Sequence, residues 1–129
     1  MTQPQAKAPS APIGPYSPTV RFGELLVCSG QIGIESTPHG PALVEGGFAA
    51  QVRRALDNVA GLLAGEGLGW QDVVKTTVFL SDILDYGAFN AIYVEVLGEN
   101  RPARSVVAVA GLPMEALVEI EAWARVPAR

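Results

Sequence analysis

At 129 residues, 49% hydrophobic and 17% charged, the chain has the length of one domain and more apolar content than so small a domain hides within itself, so some burial between subunits is expected. A formal net charge of −4, with Arg53-Arg54 the closest pairing and Arg101, Arg104, Arg125 and Arg129 scattered, offers no basic stripe and argues against nucleic acid. One cysteine, Cys28, excludes an intrachain disulfide, and neither a signal-type apolar stretch nor a run of roughly 20 apolar residues is present, so a cytoplasmic protein with no membrane partner is expected.

Residues 1–12, with Pro4, Pro9 and Pro12, read as a mobile tail ahead of one domain over 13–129. Ile13-Gly14-Pro15-Tyr16 leads into an extended stretch, Ser17 to Phe22, and Gly23-Glu24 turns it into a second strand, Leu25 to Ile32. Gly33 to Glu45, carrying Pro38, Gly40 and Pro41, reads as a loop. Phe48, Val52, Leu56, Val59, Leu62 and Leu63 then make one apolar stripe at helical spacing, with Gln51, Arg53, Arg54, Asp57 and Asn58 around the other side and Gly65 or Gly67 as the stop.

Asp72 to Leu80 holds a β-branched run, Val73, Val74, Thr76, Thr77 and Val78, that reads as a buried central strand. Ser81-Asp82 supplies capping side chains for a second helix, Asp85 to Leu97, whose apolar face is Tyr86, Phe89, Tyr93, Val96 and Leu97 and whose stop is Gly98. A fourth strand, Ala103 to Ala110, is broken by Gly111-Leu112-Pro113. A fifth, Leu117 to Val126, alternates Val118, Ile120, Ala122 and Ala124 with Glu119, Glu121, Trp123 and Arg125. The order ββαβαββ predicts an α+β fold, a mixed sheet with two helices on one face and the other face left for association.

Few residues are suited to chemistry. Arg104 lies within a short apolar strand, where a charge needs a partner: either a small carboxylate held by its two-pronged guanidinium, or Glu119 or Glu121 across the sheet. Glu119 and Glu121 share one face of the last strand, as a water-activating carboxylate with its neighbour or as two solvated charges. Ser29-Gly30 reads as a bulge whose amides face a ligand, or as a plain bulge. Tyr16 is placed to offer a hydroxyl, although buried tyrosines are commonly structural. His39 stands alone in its loop, so no metal-ligand cluster and no Ser–His–Asp arrangement is foreseen, and Cys28 reads as a core thiol. Gly65-Glu-Gly-Leu-Gly69 follows a helix, whereas a nucleotide-binding loop precedes one.

Ile13-Gly-Pro-Tyr16, Ser29-Gly-Gln31, Gln51 with Leu56-Asp-Asn58, Val74-Lys-Thr-Thr-Val78, Asn90 followed by Tyr93, Pro102-Ala-Arg-Ser105 and Glu119-Ile-Glu-Ala122 together resemble the YjgF/RidA family in order and spacing. The resemblance spans residues 13 to 126. It implies a chorismate-mutase-like fold in a homotrimer with a central β-barrel, and three clefts between subunits. It implies an imine deaminase in which Arg104 grips the substrate carboxylate, Glu119 positions the attacking water, and Tyr16, Ser29 and Gly30 line the cleft, with Asn90 from the adjacent subunit. The ligands implied are enamines or imines such as 2-aminoacrylate and their 2-oxo acid products, and no cofactor is required. Val106 stands where many deaminase members have a cysteine, which removes a polar or redox-responsive group. The alternatives are a small-carboxylate-binding protein without turnover and the ribonuclease label that some members carry; the acidic balance counts against the latter.

Overall fold

Thr19–Phe22 (β1) and Leu25–Gln31 (β2) form the expected hairpin, in register from Thr19 opposite Cys28 to Phe22 opposite Leu25. Gly23 makes its turn at φ +61°, where a side chain would be strained. The structure, a computed structural model, describes residues 12–127, so the expected tail lies outside the described residues except for Pro12. The stretch read as a loop contains a second hairpin, Ile34–Thr37 (β3) and Gly40–Leu43 (β4), turned at Gly40 with φ +101°. Its four-residue strands, one of them containing Pro41, carry too little alternation to register as strands in the sequence.

The first helix, Gly47–Gly65 (α1), ends as expected, and Gly67 at φ +75° supplies the left-handed residue beyond it. Val73–Leu80 (β5) follows. Asp82 caps a single tight turn, Ile83–Asp85, by accepting from the Leu84 N–H at 2.9 Å, and Tyr86–Leu97 (α2) continues from there. Ala103–Ala108 (β6) and Val118–Arg125 (β7) complete the chain, each slightly shorter than foreseen. Among the described residues, no helix is long and apolar enough to cross a membrane.

The main sheet has the order β1-β2-β7-β5-β6, with β5 and β6 parallel and every other pair antiparallel. β5–α2–β6 is thus a simple crossover unit, whereas β2–α1–β5 is a split one with β7 inserted between its parallel strands. Both helices cover one face. Val52, Leu56, Val59 and Leu63 of α1 and Phe89, Ile92 and Leu97 of α2 share one core with Leu26, Val78, Leu80, Val118 and Ile120 of the sheet. Cys28 is in the same core, 1% exposed, and burial reinforced by the charge of Glu66 pushes its thiol up to about 11, as suits an inert core residue.

Part of the polar side of α1 is turned inward. Gln51, Arg54 and Asn58 are not a solvated face: Gln51 and Asn58 are buried, and the Arg54 side chain is only 9% exposed. Asn58 donates to the carbonyls of Ile32 and Ile34 at 3.0 and 3.1 Å, Arg54 Nε donates to Ile34 at 2.9 Å, and Gln51 Oε1 accepts from Leu117 N–H at 2.9 Å. These side chains satisfy backbone groups where β2 gives way to β3 and where β7 begins. Asn58→Leu is therefore expected to cost about 1–3 kcal/mol, because it strips the Ile32 carbonyl of its side-chain donor. The urea midpoint, compared with wild type at unchanged m-value, measures it.

Candidate functional site

The β2–β7 pairing slips between Cys28, opposite Ala122, and Gln31, opposite Ile120. Ser29 and Gly30 therefore face the single residue Glu121, which is a β-bulge. The chain segment before β1 lies alongside: Ser29 N–H donates to the Pro18 carbonyl at 2.8 Å, and the Ser29 hydroxyl donates to the Ser17 carbonyl at 2.7 Å. The Ser29 proton is thus already committed to the backbone. Tyr16 folds back over Gly14, and its hydroxyl accepts from Ile13 N–H at 3.4 Å.

A crevice of about 550 Å³ opens there. Its polar groups are Tyr16, Ser29, Gly30, Gln31, Glu119 and Glu121; Ile13, Ile32, Leu62 and Pro113 form apolar parts of its wall. Four of the five foreseen site residues other than Asn90, namely Tyr16, Ser29, Gly30 and Glu119, are brought together. Glu121, weighed with Glu119 in the sequence, joins them. The apolar contribution of Pro113 and Ile32 was not foreseen, since nothing in the sequence links those positions to Glu119.

Glu119 lies flat on Gly30. A side chain at residue 30 would put Cβ onto its carboxylate oxygen, 2.8 Å from Cδ and 3.0 Å from Cγ. The bulge glycine is thus a space requirement of the carboxylate. Burial, and secondarily the charge of Glu121, hold the Glu119 carboxyl above the usual carboxylate range, making it the stronger base once ionised. Gly30→Ala is expected to leave the fold in place and displace the Glu119 carboxylate, lowering turnover of any reaction that uses it by about 10²-fold, the scale for a misplacement near 1 Å. Thermal melts alongside steady-state rates separate the two effects.

Arg104 is elsewhere. It stands opposite Thr76 in the β5–β6 register, and Thr76 faces the helices; Glu119 stands opposite Phe79, on the other face of the sheet. An ion pair of Arg104 with Glu119 or Glu121 across the sheet, one of the readings of the sequence, is therefore corrected: within one chain the two signs of charge are separated by the sheet itself. Neither Arg104 nor Asn90 lines the crevice. Both belong with α2. Arg104 rests against the rings of Tyr86, Phe89 and Tyr93, and Asn90 Oδ1 is buried without a hydrogen-bond partner among the described residues.

A mixed sheet with both helices on one face makes this an α+β protein. Residues 5–126 match the model of a family described as Endoribonuclease L-PSP. The chain is 44% identical over 119 residues to the human protein named 2-iminobutanoate/2-iminopropanoate deaminase, covering 92% of this chain and 85% of the human one. It matches the YjgF gene product of E. coli with a TM-score of 0.80 at 41% identity over 94% of each chain. It also matches E. coli TdcF, crystallised with bound serine, with a TM-score of 0.82 at 35% identity over 96% and 97% of the two chains. The chain belongs to this family, whose members also carry the names YjgF and RidA.

Proposed function

We propose that this protein hydrolyses reactive enamines and imines, such as 2-aminoacrylate, to 2-oxo acids and ammonia in clefts between the subunits of a homotrimer. The observation that carries the reading is the division of charge just described. A basic carboxylate sits in a crevice of mixed polar and apolar lining on one side of the sheet, and an arginine without a counter-ion among the described residues lies on the other. Neither half alone suits an imine that carries a carboxylate. The crevice of one subunit closed by Arg104 and Asn90 of the next holds both.

Association of this kind is supported by the sheet face opposite the helices. It leaves Val20 56%, Phe22 78%, Val107 43% and Trp123 43% exposed, apolar surface that a barrel of three sheets covers. The name of the human relative and the serine in the TdcF structure support a ligand of amino-acid type.

In the reaction, Arg104 of one subunit holds the carboxylate of the 2-imino acid with parallel N–H donors. Glu119 of the other takes a proton from water as its oxygen bonds to the imine carbon, and the C=N electron pair moves onto nitrogen. The glutamic acid then returns that proton to the nitrogen, giving a carbinolamine; Glu119 next takes the hydroxyl proton and passes it to the amino nitrogen, so that the O–H pair becomes the C=O, the C–N bond breaks and ammonia leaves. An imine is already electrophilic, so orientation and one base suffice and no cofactor is called for. The test is 2-oxo acid release from 2-aminoacrylate generated in situ. Wild type is expected to accelerate it, and a trimeric protein that does not would leave binding without turnover as the function.

A further inference from the structure

Arg104 is held without an acid. The ion pairs among the described residues are Arg53–Glu95 and Arg54–Asp57, and neither involves it. Its guanidinium carbon instead lies 4.8 Å from the ring centroid of Tyr93, 5.7 Å from Tyr86 and 5.9 Å from Phe89, and Nη2 donates to the Tyr86 hydroxyl at 3.2 Å. Positions 86, 89 and 93 are three and four apart, so α2 presents the rings as one stripe over the edge strand that carries Arg104.

The nearest ring is itself fixed. The Tyr93 hydroxyl shares a 2.8 Å hydrogen bond with Thr76 Oγ1; both residues are buried, and Thr76 is the register neighbour of Arg104 on β5. Burial keeps Tyr93 neutral by pushing its hydroxyl up, against the smaller opposing pull of Thr76, Arg104 and Arg101. Ring faces stabilise a guanidinium through its flat side and leave its in-plane N–H donors for a ligand. A carboxylate partner would do the opposite, neutralising the charge and occupying the fork.

The geometry points to Tyr93, fastened by Thr76, and Tyr86 as positioning residues that hold the Arg104 guanidinium in place of a counter-ion, leaving its donors other than the one given to Tyr86 free for the carboxylate of the substrate. The inference rests on the clamp role of Arg104 proposed above and adds what orients it. Neither tyrosine takes part in the chemistry, so their loss falls mainly on KM and on product affinity rather than on kcat.

The experiment measures 2-oxobutanoate binding by calorimetry and KM and kcat with in-situ 2-aminoacrylate, for wild type, Arg104→Ala, Tyr86→Leu, Tyr86→Phe and Tyr93→Phe, each checked for trimer mass and melting temperature. Tyr86 is 43% exposed, so its variants are expected to fold even where substitution at buried Tyr93 does not. Tyr86→Leu is expected to weaken binding and raise KM roughly tenfold, and Tyr86→Phe, which keeps the ring, to restore most of it. Tyr93→Phe, freed from Thr76, is expected to lose severalfold with the same bias towards KM. Tyrosine variants within twofold of wild type, beside an Arg104→Ala protein that no longer binds, overturn the aromatic support and leave the clamp standing. Wild-type binding by Arg104→Ala, or none by wild type, overturns the clamp and the inference with it.

Discussion

Arg104→Ala is expected to lower kcat/KM by about 10²-fold or more and to remove measurable 2-oxo acid binding, while the protein remains folded and trimeric. A two-pronged pair with a carboxylate contains two charge-assisted hydrogen bonds, each worth about 1.5–3 kcal/mol, and about 1.4 kcal/mol is tenfold. The fold should tolerate the change because Arg104 satisfies no acid and sits on an edge strand, over rings that can close onto alanine. Arg104→Lys keeps the charge without the fork and is expected to recover only part of the loss. Titration of 2-oxobutanoate by calorimetry, together with steady-state rates, checks both. Full activity of the alanine variant would remove Arg104 from the site.

The fold was largely legible because its core writes itself in two periods. Val118, Ile120, Ala122 and Ala124 alternate along β7 and are all buried, and the α1 stripe through Val52, Leu56, Val59 and Leu63 is buried as spaced. What the periods hid was polar. Apolar spacing sets Gln51 and Asn58 on the side away from the stripe, whereas a side chain with a backbone N–H or carbonyl to satisfy goes in. The β3–β4 hairpin was lost for the opposite reason, since strands of four residues around a proline and a glycine are set by turn geometry and local pairing.

The candidate site was legible as a set of residues and illegible as an arrangement. The bulge at Ser29-Gly30 was visible in the glycine, but its purpose is given by the Glu119 carboxylate lying on it from another strand. Arg104 and Glu119 looked like partners because both are charges in short apolar strands. The β5 register separates them: Thr76 and Phe79 are an odd number of residues apart, so the residues opposite them face opposite sides. The same parity is why the function proposed above takes the other half of its site from a second copy of the chain.

Glu119→Gln is expected to lower turnover by about 10²–10⁴-fold, the usual worth of a positioned general base, with 2-oxo acid affinity kept because the arginine is untouched. The wild-type rate should rise with pH through a limb above the ordinary glutamate range, since burial, and then Glu121, keep the proton on Glu119. Glu121→Gln removes the second cause and should move that limb to lower pH. The stability effect has the opposite sign to the activity effect. A carboxyl whose folded pKa is raised stabilises the fold fully below its unfolded pKa, and this contribution is lost as pH rises through the folded value. At pH 8 wild type therefore carries a half-buried charge that glutamine lacks. Glu119→Gln is expected to melt higher than wild type at pH 8, with the gap closing on acidification as Glu119 takes up its proton. Melting curves across that range decide it: a variant that loses turnover but melts no higher at pH 8 would mean that the carboxylate is already compensated where it sits, and the pH limb should then lie in the ordinary range as well.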